Sequence, residues 1–333
     1  MTTVTPIDRR TQQERALALL RGASRLVLCG HMRPDGDCIG AQAALSRVLS
    51  KLGKTVWIYN PDAIPPQLDY LAQDTQFGVY DGGALPAHDV AVMLDFNELE
   101  RTGALAKALA AAPSRKLVID HHLFHGTPWW YECYVDPSAA ATGLLVFRIA
   151  RELGVELDPV IARGVYTSIV TDTGWFKYSN TDAETFAVAS ELVARGVEPA
   201  VIFSAIYQRN SRAQPLGIAR ALQRLEYQAD GRIALIDLPL ATGDEVDLPD
   251  GDDVLDIVRA VGRVEVVLFL RELKDRTVKL SARSKGAYDV NALARKFGGG
   301  GHAKASGATV PGALIEVRRR ILEAALAQLA ASA

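Results

Sequence analysis

Arg25-Leu26-Val27-Leu28-Cys29-Gly30 runs straight into His31-Met32-Arg33-Pro34-Asp35-Gly36-Asp37. The first segment is apolar without alternation from Leu26 to Cys29, the pattern of a strand covered on both faces. It delivers His31 at its C-terminal end, and Pro34 and Gly36 turn the loop that follows. From Ile39 to Leu52 apolar and small residues recur at helical intervals, until Gly53 stops the helix. Thr55-Val56-Trp57-Ile58-Tyr59 then reads as a second strand. The result is a βαβ unit, which within one sheet is parallel and right-handed.

The same grammar returns downstream. Val90-Ala91-Val92-Met93-Leu94 is an apolar strand ending at Asp95, and Lys116-Leu117-Val118-Ile119 is another ending at Asp120-His121-His122. Hard metal ligands thus stand at the ends of predicted strands, where an α/β protein builds its site. Asp172-Thr173-Gly174 follows no such strand and on its own is equally a turn in which Asp accepts its own chain's amides. The spacing predicts helices over Glu14 to Leu20, Ala139 to Leu153 and Pro159 to Thr167, and Thr181-Asp182-Ala183-Glu184 fits a capping box opening a helix that ends near Gly196.

After Ile206 the texture changes to the polar run 207–215, and the domain reading is 1–206, an interdomain linker 207–220, and 221–333. The second part carries strand signals over Arg232 to Asp237, Arg263 to Leu270 and Thr277 to Ala282, a helix from Val290 to Phe297, and a closing helix from Ile315 to Leu329. The acidic stretch Asp244 to Asp253 reads as a solvated loop with one helix start. At 333 residues the chain exceeds one ordinary core. Its 37 Lys and Arg nearly cancel 39 Asp and Glu, so a nucleic-acid substrate must be held by a local patch or by bound cations. Cys29, Cys38 and Cys133 have no CxxC spacing, which implies a reducing compartment without a disulfide framework; Cys29 reads as a small core residue. Neither a leader pattern nor a sustained apolar run of spanning length is present in the sequence, and the expectation is a cytoplasmic protein with no membrane partner.

His31, Asp35, Asp37, Asp95, His121, His122 and Asp172 offer nitrogen and oxygen donors with no thiolate. That set suits Mn²⁺, Mg²⁺ or Fe²⁺ better than a structural zinc site, and its histidines favour Mn²⁺ over Mg²⁺. Seven candidates exceed the needs of one ion, whereas two ions about 3.5–4 Å apart, bridged by a carboxylate and a water, would use them economically. In the second part, alternation puts Lys279, Ser281 and Arg283 on one strand face, which is either a solvated edge or a cationic face for a phosphate. Gly298-Gly299-Gly300-Gly301, ahead of His302, leaves backbone amides approachable and reads as a cradle for an anion.

On these motifs the chain resembles the DHH family of phosphoesterases, named for the residues present here as Asp120-His121-His122. The first cluster is similar to that family's HxxPDxDxxG signature, and Asp95 and Asp172-Thr173-Gly174 match its second and fourth motifs. Lys279 to Lys285, with Phe297-Gly298-Gly299-Gly300-Gly301-His302 and Ala305-Ser306-Gly307, resembles the associated DHHA1 domain. The only departures are small, such as Cys38 where a small aliphatic residue is usual.

The resemblance implies an α/β protein with an N-terminal parallel-sheet DHH domain, a smaller C-terminal α/β DHHA1 domain and a cleft between them. Length and layout are similar to the family's oligoribonuclease and 3'-phosphoadenosine 5'-phosphate (PAP) phosphatase group. This implies a two-metal, Mn²⁺-dependent enzyme, with Mg²⁺ or Co²⁺ as substitutes, that degrades short RNA to nucleoside 5'-monophosphates and dephosphorylates PAP. Cleavage of cyclic or linear dinucleotides is the alternative, and cleavage polarity and homodimerisation stay open. By the same resemblance His31, Asp35 and Asp95 hold one ion, Asp37, Asp95, His121 and Asp172 hold the other, and Asp95 is the bridge. Asp120 then fixes an imidazole or orders its loop, His122 sits nearer the phosphate or leaving oxygen, and Arg283, Lys279, Gly298 to Gly301 and His302 grip the substrate. A nucleotide-binding module without catalysis would be expected to have lost a ligand, and none is missing.

Overall fold

Leu26, Val27, Leu28 and Cys29 are fully buried in the computed structural model, which describes residues 8–124, 128–240 and 252–331. The chain divides into two compact units, Met1–Arg209 and Asn210–Ala333. In the first, the elements in chain order are α1 (Arg9–Gly22), β1 (Arg25–Cys29), α2 (Gly36–Lys51), β2 (Thr55–Asn60), β3 (Gly78–Val79), β4 (Val90–Leu94), α3 (Leu105–Ala111), β5 (Arg115–Asp120) and β6 (Glu132–Val135). Four helices follow: α4 (Thr142–Glu152), α5 (Pro159–Asp172), α6 (Ala183–Ala194) and α7 (Pro199–Tyr207).

The strands form one sheet in the order β3-β2-β1-β4-β5-β6, parallel at every pairing. Successive side chains go to opposite faces. Leu26, Leu28, Val92 and Leu94 join the layer built with α2, α4 and α5, while Val27, Cys29, Ala91 and Met93 join Leu105 and Leu109 of α3 on the other side. The order reverses between β1 and β4, the point at which an open parallel sheet leaves a crevice beyond its strand ends.

Helices α2 and α5 pack antiparallel and very closely. A Cβ at Gly40 would lie 2.5 Å from the Gly164 carbonyl oxygen, and one at Gly36 would lie 2.3 Å from Thr171 Cγ2. Only glycine permits that approach, and it brings the start of α2, with Asp35 and Asp37, to the end of α5, with Asp172. The spacing had ended this helix at Thr167. It continues to Asp172, with Thr173 as its C-cap, and the hydroxyls of Thr171 and Thr173 return to the carbonyls of Thr167 and Ile169, four residues back. Other boundaries also shift. Asp8 caps α1 by accepting from the Arg10 and Thr11 amides, which starts that helix ahead of Glu14. Helix α4 starts at Thr142, after the extended Ala141. The capping box of α6 is formed by Asp182 and Thr185.

The second unit contains α8 (Gln214–Leu222), β7 (Glu226–Gln228), β8 (Ile233–Leu238), α9 (Asp252–Arg259), β9 (Val266–Glu272), β10 (Thr277–Ser284), α10 (Val290–Arg295), β11 (Gly300–His302), β12 (Ala305–Pro311) and α11 (Leu314–Ala331). Its sheet runs β11-β12-β10-β9-β8-β7 and is antiparallel except for the β8–β9 pair. Val278, Leu280 and Ala282 pack with α10 and α11 on one face, and Ala234, Ile236, Val267 and Phe269 pack with α8 and α9 on the other.

Two readings change here. Within 207–220, taken as a linker, Gln214 onward is the helix α8, started by a proline near its first position and seated through Ala221 on the second core. The glycine run is not an open loop throughout: Gly300-Gly301-His302 is a strand paired with Ser306 and its neighbours on β12. The glycines serve close strand approach, since a Cβ at Gly299 would lie 2.1 Å from the Gly307 carbonyl oxygen. Of the acidic stretch Asp244 to Asp253, residues 244–251 lie outside the described residues, and α9 begins at Asp252. Among the described residues no helix is long and apolar enough to cross a membrane.

Candidate metal centre

His31 leaves the end of β1 into a buried position. Its Nδ1–H donates to the Met32 carbonyl at 2.9 Å, which leaves the Nε2 lone pair facing inward. Nε2 stands 3.4 Å from Asp95 Oδ2 and 4.0 Å from Asp35 Oδ1. Asp35 is the N-cap of α2, accepting from the Asp37 and Cys38 amides at 3.1 Å each, so the helix start itself fixes this carboxylate. Asp37, in the first turn, accepts from the Thr142 and Gly143 amides and the Ser168 hydroxyl.

Asp95 leaves β4 with φ of +69°, a left-handed conformation that Asp tolerates better than most residues. Its Oδ1 accepts from the Thr142 hydroxyl at 3.1 Å. His121 donates Nδ1–H to the Ala139 carbonyl at 3.2 Å, and its Nε2 lies 3.5 Å from Asp37 Oδ2, 3.6 Å from Asp95 Oδ1 and 3.7 Å from Asp172 Oδ2. Asp120, fully buried, accepts from the His122 amide at 3.1 Å and from His122 Nδ1–H at 2.8 Å. Of the two histidines it therefore restrains His122, through both ring and backbone. His122 Nδ1 also stands 3.6 Å from Asp95 Oδ1.

Candidate ligand atoms fall into three groups whose members lie within 4.8 Å of one another: His31, Asp35 and Asp95; Asp37, His121 and Asp172; and Asp95, His121 and His122. The residues fit divalent cations on two counts. His31 Nε2 and His121 Nε2 are buried without a hydrogen-bond partner, and their distances to the facing carboxylates are too long for hydrogen bonds but suit donors on opposite sides of an ion. The carboxylates also repel one another. Burial, then the charges of Asp37, Asp35, Asp120 and Asp172, push the Asp95 carboxyl well above the usual range. Burial and Asp37 push Asp172 up to about 7. Burial holds His31 below its ordinary value, in the neutral form that binds metal. For His122 burial is the largest influence and opposes the charged form, yet the hydrogen bond to Asp120 together with the charges of Asp120 and Asp37 outweighs it and raises the pKa.

Four supporting residues escaped sequence reasoning: Asn97, Thr142, Ser168 and Asn180. Asn97 Nδ2 donates to Asp120 Oδ2 at 2.7 Å, and its place two residues after Asp95 was the one available signal. Asn180 Nδ2 donates to the Ala140 and Asp172 carbonyls, at 3.0 and 3.2 Å, and to Asp172 Oδ2 at 3.2 Å. It joins the end of α5 to the approach to α4. Asn180→Ala is expected to cost about 10- to 100-fold in metal affinity or activity, the usual effect of losing a group that orients a ligand. A Mn²⁺ titration of the variant checks this, and an unchanged affinity and rate would mean Asp172 is held by other means.

The residues expected to grip substrate lie in the second unit. Lys279 is exposed and Arg283 half-buried on β10. Strand register places Arg283 and His302 on either side of Ala305 in one row of the sheet.

Residues 25–169 match the DHH family, N-terminal domain, and residues 241–331 match the DHHA1 domain. The chain is 34% identical over 310 residues to the bifunctional oligoribonuclease and PAP phosphatase NrnA of Thermus thermophilus, covering 91% of this chain and 90% of that one. It is 26% identical to the Bacillus subtilis protein of the same description, over 86% and 89% of the two chains. Among solved structures, an exopolyphosphatase-related protein from Bacteroides fragilis superposes with a TM-score of 0.88 at 29% identity, covering 98% of both chains.

Proposed function

The chain belongs to the DHH–DHHA1 phosphoesterase family, beside its NrnA-like members, and from that premise we propose that it hydrolyses short oligoribonucleotides to nucleoside 5'-monophosphates and dephosphorylates PAP. The observation that carries the reading is Asp95, one carboxylate common to two groups of ligand atoms, in a chain that matches oligoribonuclease and PAP phosphatase relatives along nine-tenths of its length.

In this reading His31, Asp35 and Asp95 would hold one divalent ion, and Asp37, Asp95, His121 and Asp172 the other. Mn²⁺ is the first choice for a mixed imidazole and carboxylate set, with Mg²⁺ or Co²⁺ as substitutes. When bound, the ions polarise phosphoryl oxygens and acidify water. Asp120 supports the charged form of His122 and raises its pKa, which suits the ring to act as a general acid toward the leaving oxygen. Asp120 fixes the ring for that role, and Asn97 in turn fixes Asp120. Arg283 and Lys279, with the Gly298 to His302 segment, would take the part of the substrate that is not cut; the cationic side chains suit a phosphate.

The test is one panel under common conditions with Mn²⁺: pApA, longer RNA and DNA oligomers, cyclic di-AMP, cyclic di-GMP and PAP, ranked by kcat/KM. The dinucleotide pApA and PAP are expected to rank highest. A cyclic dinucleotide at the head of the ranking would replace this substrate assignment.

A further inference from the structure

Between β4 and α3 the chain makes a short 3₁₀ turn, Leu99–Thr102. The Met32 amide donates to the Arg101 carbonyl at 2.7 Å, and the Arg101 amide donates to the Glu98 carbonyl at 3.0 Å. Thr102 is buried and returns its hydroxyl to the Leu99 carbonyl. Gly103 follows with φ of +55°, so close to Met32 that a Cβ there would lie 3.0 Å from its sulfur. The turn is therefore fastened, through main chain, to the loop that carries His31 and Asp35.

Arg101 is half-buried in this turn, and among the described residues its guanidinium makes no ion pair or hydrogen bond. Taking an arginine charge out of water is costly unless it is paired. Its charge is nonetheless felt in the centre: burial depresses His31 most and Arg101 adds to that, and at His122 burial and Arg101 both oppose the support from Asp120. Those two histidines belong to different ligand groups, and the main chain of Arg101 is bonded directly to Met32, the residue after one of them.

Charge balance says what such a cation is for. Asp95 and the four carboxylates that act on it, Asp35, Asp37, Asp120 and Asp172, bring five negative charges together. Two divalent ions supply four positive charges, and the proton His122 carries as general acid cancels the fifth, so the centre itself keeps no positive charge to offset an incoming phosphate. A phosphodiester adds another negative charge and a phosphomonoester adds up to two. A fixed positive charge beside the ions would both attract the substrate and stabilise the charge that develops on its phosphoryl oxygens.

We propose that Arg101 is a phosphate-binding residue of this centre, its guanidinium taking the non-bridging oxygens of the phosphate that is cut. This rests on the phosphoesterase reading above. The planar fork of arginine matches two phosphate oxygens, which the single ammonium of lysine does not. The turn is held by the Arg101 main chain, so changing the side chain leaves the fastening to Met32 in place.

The experiment compares the Mn²⁺-loaded wild type with Arg101→Gln and Arg101→Lys by three readings: kcat/KM on pApA, Mn²⁺ bound per chain, and calorimetric affinity for orthophosphate as the probe. Arg101→Gln is expected to lose about 10²- to 10³-fold in kcat/KM, the usual cost of one charge-stabilising donor, with Mn²⁺ content unchanged and orthophosphate bound at least about tenfold more weakly. Arg101→Lys should recover part of both losses, and it stands in for Arg101→Gln if that variant fails to fold. Unchanged orthophosphate affinity in the variants, or loss of Mn²⁺ in proportion to activity, overturns the assignment. An inactive wild type would instead sink the phosphoesterase reading, and the orthophosphate comparison would still decide Arg101.

Discussion

Asp95→Asn is expected to abolish hydrolysis, with a loss of more than about a thousandfold in kcat/KM, and at the same time to raise the melting temperature of the metal-free protein. The first half follows from position. One Asp95 oxygen lies 3.4 Å from His31 Nε2, and the other lies 3.6 Å from both His121 Nε2 and His122 Nδ1, so the substitution weakens every ligand group but that of Asp37, His121 and Asp172. The second half follows from charge. Asp95 is buried beside four other carboxylates that oppose its ionisation, and without cations that repulsion is a cost of folding that a neutral amide removes. Asn also accepts the +69° backbone and can keep the Thr142 hydroxyl bond. The measurement is kcat/KM with melting temperature, with and without added Mn²⁺; circular dichroism establishes that the fold is intact. Near-normal activity would remove Asp95 from the centre, and a lower metal-free melting temperature would show that packing outweighs repulsion there.

The same location explains which features could be read from the sequence. Leu26 to Cys29 and Val90 to Leu94 were legible because a parallel strand covered on both faces has no polar side, and each ends where the chain meets water. His31, Asp95 and the run from Asp120 to His122 follow directly from those strands. Asp172 was a different problem. Its place at the end of α5 depends on Gly36 and Gly40 letting two helices touch, and the end of α5, Thr171 and Asp172 with Thr173 as C-cap, carries no apolar period to extend the helix reading. Asn97, Thr142, Ser168 and Asn180 are uncharged and ordinary as residue types, and Ser168 meets Asp37 across 131 residues of chain. Nothing local marks a partner so distant in sequence; only Asn97, two residues after Asp95, had a signal of position. The glycine run shows the converse ambiguity: its composition signals backbone freedom, yet freedom to cradle an anion and freedom for two strands to approach look alike until Gly307 is found opposite Gly300.

Removing the divalent ions is expected to lower the melting temperature by several degrees at pH 8 and by much less at pH 5. In the metal-free protein, burial and Asp37 push the Asp172 carboxyl up to about 7, and Asp95 is raised well above its ordinary value by burial and its four neighbours. The ordinary value for Asp is near 3.9 when unfolded. Between that value and about 7 the folded state holds more protons than the unfolded one, so stability falls as pH rises through this window, and the share of Asp172 levels off above it. His122, raised on balance, acts in the same direction; His31, lowered chiefly by burial, acts against it. Asp136 and Asp158 stay below the ordinary range because hydrogen bonds outweigh their burial, and they titrate under the window. With ions bound the sign reverses, because protons and cations compete for the same carboxylates and imidazoles and the holo-protein loses its advantage as pH falls. The two curves should therefore converge on acidification. Calorimetric melts from pH 5 to 8, with chelator and with Mn²⁺, measure both. A chelated protein that grows more stable from pH 5 to 8 would mean that the crowding of Asp95 and Asp172 is relieved without any cation, and the two-ion centre would lose its physical rationale.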